Sequence, residues 1–240
     1  MARRSHRRHA RRRRRADGDG RPRHRARDPG VTRLLLIRHA RPQDEAARGR
    51  CYGRLDLDLG ADGRRAAQEL AQSLEQIELA AVHSSPRRRA LQTAGPLAAL
   101  HGLEPIPDER LAELDFGDLE GRTYDEIAAT QPDLYHAWME TPTEVEFPNG
   151  ESYATLRRRA LEAVASIREA APAGTAAIVT HGGVVRAILA DCLGMPDEAI
   201  FRLRQDYCAV SVLEWIEDVP LVGPVNARVG DGAPALSMRD

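Results

Sequence analysis

The chain has no lysine; all thirty-five of its basic side chains are arginine. An all-arginine basic set with abundant Ala and Gly points to a genome rich in G and C. Cysteine is scarce as well. Cys51, Cys192 and Cys208 have no paired spacing and no CxxC, which argues against a disulfide framework and predicts reduced thiols in a cytoplasmic protein. No apolar run approaches the roughly 18 residues that a membrane-spanning helix needs. The amino terminus carries no apolar h-region, so neither a membrane partner nor a signal peptide is expected.

Charge is present but unevenly placed. Up to residue 33 there are fourteen Arg and three Asp, whereas the rest has twenty-one Arg against thirty-three acids. Residues 1–32 include the run Arg11–Arg15 and no large aliphatic side chain before Val31. Such a segment cannot bury enough apolar surface to offset its ordering entropy, so a disordered tail is expected. A block of like charge can meet nucleic acid through its phosphates. No aromatic side chain is interleaved, so base stacking has no support. An inert extension from a wrongly assigned start is the competing reading.

From Leu34 the pattern is globular. Leu34-Leu35-Leu36-Ile37 reads as a strand buried on both faces, and it ends in Arg38-His39. In open parallel α/β sheets ligands bind beyond the carboxyl ends of the strands. A cationic pair at such an end is costly unless an anion is expected there. A structural ion pair with Arg38 is the alternative on this stretch alone. Arg41–Leu59 is long enough to be a functional loop. Helices are expected over Ala61–Gln76 and from Ser85-Pro86 to about His101, with Gly95-Pro96 kinking or restarting the second. Short strands are expected at Ala80–Ser84 and Glu104–Asp108. Thr123–Thr130 and Pro132–Met139 read as short helices, the first with a capping box of Thr123 and Glu126. Glu151–Ala171 is a longer amphipathic helix. Thr175–Thr180 is a second buried strand, ending in His181-Gly182-Gly183 before a helix over Val184–Leu193. Cys208–Trp215 is the last strand, and the chain from 219 to 240 reads as a tail. Alternating strands and helices predict an α/β fold with a mainly parallel sheet.

Two strands thus end alike, in Arg38-His39 and in Thr180-His181. As neighbours in a parallel sheet they would put two imidazoles at one edge, where one can attack phosphorus and the other can donate to phosphoryl oxygens. The Gly-Gly helix start after His181 adds backbone N–H groups suited to an anion. Arg87-Arg88-Arg89 brings more positive charge, but residues about 100° apart on a helix cannot all face one pocket, and Arg87 and Arg88 are expected on a solvated face. Protonating the leaving group needs an acid. Glu113 and Asp115 both qualify, and spacing alone does not choose between them.

Four blocks now stand in order: Leu-Ile-Arg-His, Ser-Ser-Pro-Arg-Arg-Arg-Ala-Leu-Gln-Thr-Ala, Leu-Ala-Glu-Leu-Asp-Phe-Gly-Asp-Leu-Glu-Gly and Val-Thr-His-Gly-Gly. Together they resemble the histidine phosphatase, or phosphoglycerate mutase-like, superfamily over roughly residues 33–216. The resemblance implies a three-layer α/β/α sandwich, with the domain placed at 33–218, and neither metal nor diffusible cofactor. It implies His39 as the phosphorylated nucleophile, Arg38 and Arg89 as phosphate ligands, Glu113 rather than Asp115 as proton donor, and His181 with Gly182 completing the pocket. Gly49-Arg50-Cys51-Tyr52-Gly53-Arg54-Leu55-Asp56 is similar to the alpha-ribazole phosphatases of cobalamin assembly, which puts Tyr52 and Gly53 at the substrate. Packing of Tyr52 on a lid is the alternative. The chain departs from the family pattern at Ala40-Arg41-Pro42, where Gly and then Glu-Thr are usual.

Mutase members of the family it resembles carry longer insertions with extra basic residues; beside them the short stretch from Glu113 to His181, without lysine, implies hydrolysis of a small phosphorylated substrate rather than mutase-type transfer. Alpha-ribazole 5′-phosphate is the specific expectation and a broad phosphatase the runner-up. A non-catalytic binding protein built on a relic site would be expected to have lost at least one of Arg38, His39, Arg89, Glu113 and His181. A homodimer is compatible with the sequence.

Overall fold

The computed structural model describes residues 31–43, 49–170 and 173–228. The arginine-rich tail lies outside them except for Val31 and Thr32, which belong to the first strand. The elements are β1 (Val31–Arg38), α1 (Ala61–Ser73), β2 (Ala81–Ser84), α2 (Arg88–Leu100), β3 (Pro105–Pro107), α3 (Tyr124–Thr130), α4 (Pro132–Glu140), α5 (Tyr153–Ala170), β4 (Thr175–Thr180), α6 (Gly182–Cys192), β5 (Val210–Ile216) and β6 (Val219–Val222). The six strands form one sheet in the order β3-β2-β4-β1-β5-β6.

Leu34 to Ile37 are fully buried, and alternate residues serve opposite layers. Leu34 and Leu36 pack with Leu156, Ala160, Val184 and Ile188 of α5 and α6. Leu35 and Ile37 pack with Ala67 and Leu70 of α1 and Ala94 and Leu97 of α2. A sheet covered on both faces is the expected three-layer sandwich. Its parallel pairs, β1 with β4, β4 with β2 and β2 with β3, form the working part of the sheet. On the other side of β1 the pairing turns antiparallel, to β5 and then β6. No described helix is long and apolar enough to cross a membrane.

Three expectations need correction. The chain past 218 is not a tail at once: β6 pairs with β5, and Ala227 bridges Val210. Pro220 lies within β6, tolerable because an edge strand leaves one row of N–H groups without ladder partners. The helix after β2 starts at Arg88, not Pro86, and runs unbroken through Pro96. Ser85 is released from capping it and turns to the site. The helix after β4 begins at Gly182, one turn's edge closer to His181 than expected.

Candidate active site

β1 and β4 run parallel with Arg38 opposite Thr180. One residue further, the His39 N–H donates to the Thr180 carbonyl at 2.8 Å. Sheet register therefore brings the two strand ends together, and the His39 and His181 rings lie 5.0 Å apart. Both histidines are almost completely buried.

Their hydrogen bonds assign their jobs. His39 Nδ1 lies 2.7 Å from the Ala40 carbonyl, which can only accept, so Nδ1 carries the proton and Nε2 keeps its lone pair. His181 Nε2 lies 2.7 Å from Ser85 Oγ. That oxygen also accepts from the Arg87 N–H at 3.3 Å; where it gives its own proton to Nε2, the N–H of His181 is at Nδ1. His181 Nδ1 is buried and has no protein partner. In that tautomer one ring is arranged to attack and the other to donate.

Burial is the main force holding the His39 imidazole well below its ordinary value, followed by the charges of Arg89 and Arg38, with the Ala40 bond opposing. His181 is pushed the same way by burial, then by Arg89, His39, Arg38 and Arg87. Both rings are therefore neutral at neutral pH. The consequence for stability has a definite sign. Below about pH 6.5 the unfolded chain takes up two protons that the native site refuses, so these two rings lower stability as pH falls, together by at most about 2.7 kcal/mol per pH unit, and the half-buried His83, also depressed by burial, acts in the same direction. Urea midpoints measured from pH 7.5 to 5 should decline in this window, and His39→Ala should flatten the slope. Equal midpoints across the window would contradict it.

Arg89 is fully buried, yet no described carboxylate pairs with it. Its Nη1 donates to the Leu55 carbonyl at 2.6 Å, and its Nη2 to the Tyr52 and Gly53 carbonyls at 3.0 Å each. Arg38 Nη1 donates to the Gln205 carbonyl at 2.6 Å, and its guanidinium lies 4.0 Å from the centre of the Tyr207 ring. The Nε of each arginine is buried without a partner. Two desolvated guanidiniums held by neutral groups leave a net positive charge around His39, which is what a phosphoryl dianion requires. Of the neighbouring arginines, Arg88 is exposed and pairs with Asp58 at 2.8 Å, as expected. Arg87 is not solvated: it is half-buried and its Nε is enclosed.

Glu113 faces the same place. Its Oε2 accepts from the Gly183 N–H at 3.1 Å, in the first turn of α6, and its Oε1 from the Leu114 N–H at 2.9 Å. Asp115 points elsewhere, accepting from the Gly117 N–H at 2.9 Å. The segment carrying Glu113 is clamped by Arg159, whose guanidinium donates to the Arg110, Ala112 and Glu113 carbonyls at 2.9, 2.5 and 3.0 Å and pairs with Glu151. Thr180 Oγ1 adds a bond to the Leu111 carbonyl at 2.7 Å. A Cβ on Gly183 would stand 2.3 Å from Glu113 Oε1. Gly183→Ala should therefore displace the acid while favouring helix. Activity should fall on the order of 10- to 100-fold without a lower melting temperature. Wild-type turnover in that variant would show that Glu113 needs no such placement.

Tyr52 and Gly53 have different fates. Tyr52 lines the cleft beside His39, ring centres 6.5 Å apart, with its hydroxyl 2.8 Å from that of Tyr207. The Gly53 backbone is engaged within the protein: its N–H donates to Glu120 at 3.0 Å and its carbonyl accepts from Arg89. Its requirement is steric, since a Cβ would fall 1.7 Å from the Leu114 carbonyl oxygen. Gly182 opens α6, and a Cβ there would come within 3.5 Å of Arg38 Nε. The departure at Ala40 is absorbed: its methyl is buried and its N–H donates to Thr93 Oγ1 at 2.9 Å. Thr93 had a sequence signal, its place in the arginine block. Tyr207, Gln205 and Arg159 had none.

This arrangement coincides with a known family. The model of the histidine phosphatase superfamily (branch 1) matches residues 34–227. The chain belongs to that superfamily. Its members are phosphatases or mutases. Phosphoserine phosphatase 1 of Hydrogenobacter thermophilus is 32% identical over 187 residues, 78% of this chain and 88% of the relative. Among solved structures, YhfR of Bacillus stearothermophilus has a TM-score of 0.77 at 32% identity, covering 83% of this chain and 98% of its own. A putative alpha-ribazole-5′-P phosphatase of Escherichia coli K-12 has a TM-score of 0.75 at 27% identity, covering 82% and 97%.

Proposed function

We propose that this chain hydrolyses the phosphomonoester of a small metabolite through a phosphohistidine on His39. The observation that carries the reading is the neutral, lone-pair-bearing Nε2 of His39 enclosed by Arg38 and Arg89, neither of which pairs with a carboxylate among the described residues. In the first step Nε2 attacks phosphorus, the P–N bond forms and the ester P–O bond breaks. Glu113 gives its proton to the departing oxygen. In the second step Glu113, now a carboxylate, takes a proton from water as the water oxygen attacks phosphorus. The P–N electrons return to Nε2 and inorganic phosphate leaves. Arg38, Arg89 and the Nδ1–H of His181 hold the equatorial oxygens throughout.

The finer expectation, alpha-ribazole 5′-phosphate, rests on the Gly49–Asp56 loop and on likeness to the Escherichia coli structure named above. It enters as one substrate of a panel with O-phosphoserine, 3-phosphoglycerate and p-nitrophenyl phosphate. Phosphate release is measured in the presence of EDTA, against His39→Ala. Release by the wild type from at least one ester supports hydrolysis. Isomerisation of phosphoglycerate without release would favour the mutase reading. Release no greater than that of His39→Ala would remove the enzymatic reading altogether.

A further inference from the structure

Two guanidiniums that bind one dianion repel each other until it arrives, and an arginine side chain has many rotamers to lose. A phosphoryl site therefore works best when something holds its arginines in place beforehand. Arg38 and Arg89 stand by His39 with no carboxylate among the described residues paired to either. Two loops hold them instead, and the loops are built alike.

In the first loop the carbonyls of Tyr52, Gly53 and Leu55 accept from Arg89. The N–H groups of Gly53, Arg54 and Leu55 donate in turn to the Glu120 carboxylate, at 3.0, 2.8 and 3.3 Å. The Arg89 guanidinium carbon lies over the Tyr52 ring, 5.1 Å from its centre. The second loop precedes β5. Its Gln205 carbonyl accepts from Arg38, its Cys208 N–H donates to the Arg38 carbonyl at 3.1 Å, and its Tyr207 ring carries the Arg38 guanidinium at 4.0 Å. The chain beyond β6 fixes this loop from behind. The Asp206 N–H donates to Asn226 Oδ1 at 2.6 Å, and Asn226 Nδ2 donates back to Asp206 Oδ2 at 3.2 Å. Each loop thus holds one arginine by a carbonyl edge and by the face of a tyrosine ring. The tyrosines are 155 positions apart in the chain, and their hydroxyls meet at 2.8 Å. The His39 ring is 6.5 Å from the Tyr52 ring and 5.5 Å from the Tyr207 ring. Burial, and then the neighbouring Tyr207, holds the Tyr52 hydroxyl above its ordinary value, so Tyr52 keeps its hydrogen at neutral pH.

The structure assigns Tyr52 and Tyr207 a joint positioning role: their hydroxyl bond is a brace that fixes the spacing of the Arg38 and Arg89 guanidiniums before the phosphoryl group enters. The inference rests on the reading of those two arginines as phosphate ligands. Packing alone would respond differently to substitution. A tyrosine that only fills space supports the melting temperature and leaves the anion affinity of the folded protein unchanged. A brace is one bond shared by two residues. Removing either hydroxyl should give the same loss, and removing the second should add nothing.

The probe is orthovanadate, which takes the five-coordinate shape of a phosphoryl group in transfer and has no leaving group for Tyr52 to touch. Its dissociation constant is measured by calorimetry on the full chain, beside the melting temperature and kcat/KM for p-nitrophenyl phosphate. Tyr52→Phe and Tyr207→Phe should each weaken orthovanadate about 3- to 10-fold, and the double variant by the same factor. Tyr207→Leu, which also removes the ring from Arg38, should weaken it about 10- to 100-fold. The loss in kcat/KM should follow the loss in orthovanadate affinity. The Phe variants each delete one oxygen and keep the test decisive if Tyr207→Leu misfolds. Losses that add in the double variant, or Phe variants that bind orthovanadate like the wild type, overturn the brace and leave the phosphatase reading standing. A wild type that binds orthovanadate but cleaves no ester overturns the phosphatase reading, and the affinities alone then decide the brace. A wild type that does neither overturns both.

Discussion

His39→Ala is expected to lower kcat by about 10⁴-fold or more. The substitution removes the imidazole whose lone pair, at Nε2, lies beside Arg38 and Arg89. His181, 5.0 Å away, cannot replace it, because its Nε2 is held by Ser85. Arg38 and Arg89 still bind the anion, so KM should change far less than kcat. The covalent step has its own signature. Wild-type enzyme mixed with ³²P-labelled ester and quenched in alkali should keep label on the protein, whereas an acid quench should lose it, because a phosphoramidate P–N bond is acid-labile. The alanine variant should keep no label under either quench. Label that survives acid would identify a different nucleophile, and full activity in His39→Ala would eliminate the covalent route.

Much of this site is legible in the sequence because its two histidines end strands that are uniformly apolar. Leu34–Ile37 and Ala176–Val179 read as interior strands, and the parallel sheet aligns their carboxyl ends by register. Spacing could not rank Arg87, Arg88 and Arg89, since a helix start presents all three in different directions. The structure separates them by burial, with Arg89 enclosed, Arg87 half-buried and Arg88 in solvent. Nor could spacing choose Glu113 over Asp115; the block's resemblance to the family made that choice. The physical reason is a long-range contact, the Gly183 N–H at the start of α6, seventy positions away.

The residues that escaped notice share this property. Tyr207 stacks on Arg38 from a loop before β5, and Arg159 clamps the Glu113 segment from the middle of α5. In the sequence Arg159 is the last of three consecutive arginines on an amphipathic helix, indistinguishable from a solvated face. β6 was missed for the opposite reason. Four residues with a proline make a weak strand pattern, and the strand exists because β5 offers it a ladder on one side.

Glu113→Gln tests the proton rather than the nucleophile, and its effect should depend on the leaving group. An alkoxide from an alkyl phosphate is a poor leaving group and needs a proton as the P–O bond breaks. For such esters the substitution should cost about 10²- to 10⁴-fold in kcat/KM. p-Nitrophenolate leaves as an anion, so formation of phosphohistidine from its ester should fall on the order of tenfold or less. The second step has no such escape, since water still needs a base. With p-nitrophenyl phosphate the variant should therefore release a burst of one p-nitrophenol per site and then stall with label trapped on His39. The amide preserves the shape of the carboxyl group and its oxygen can keep the Gly183 N–H bond, but its NH2 then meets the Leu114 N–H that Oε1 accepted from, so the variant's melting temperature is measured beside its kinetics. The burst also separates this residue from Arg159 and Gly183, which act by placing it. Variants of those two should slow both steps together, because a displaced Glu113 is lost as acid and as base alike. A uniform loss across alkyl and aryl esters with no burst would place Glu113 among the positioning residues and require another proton donor.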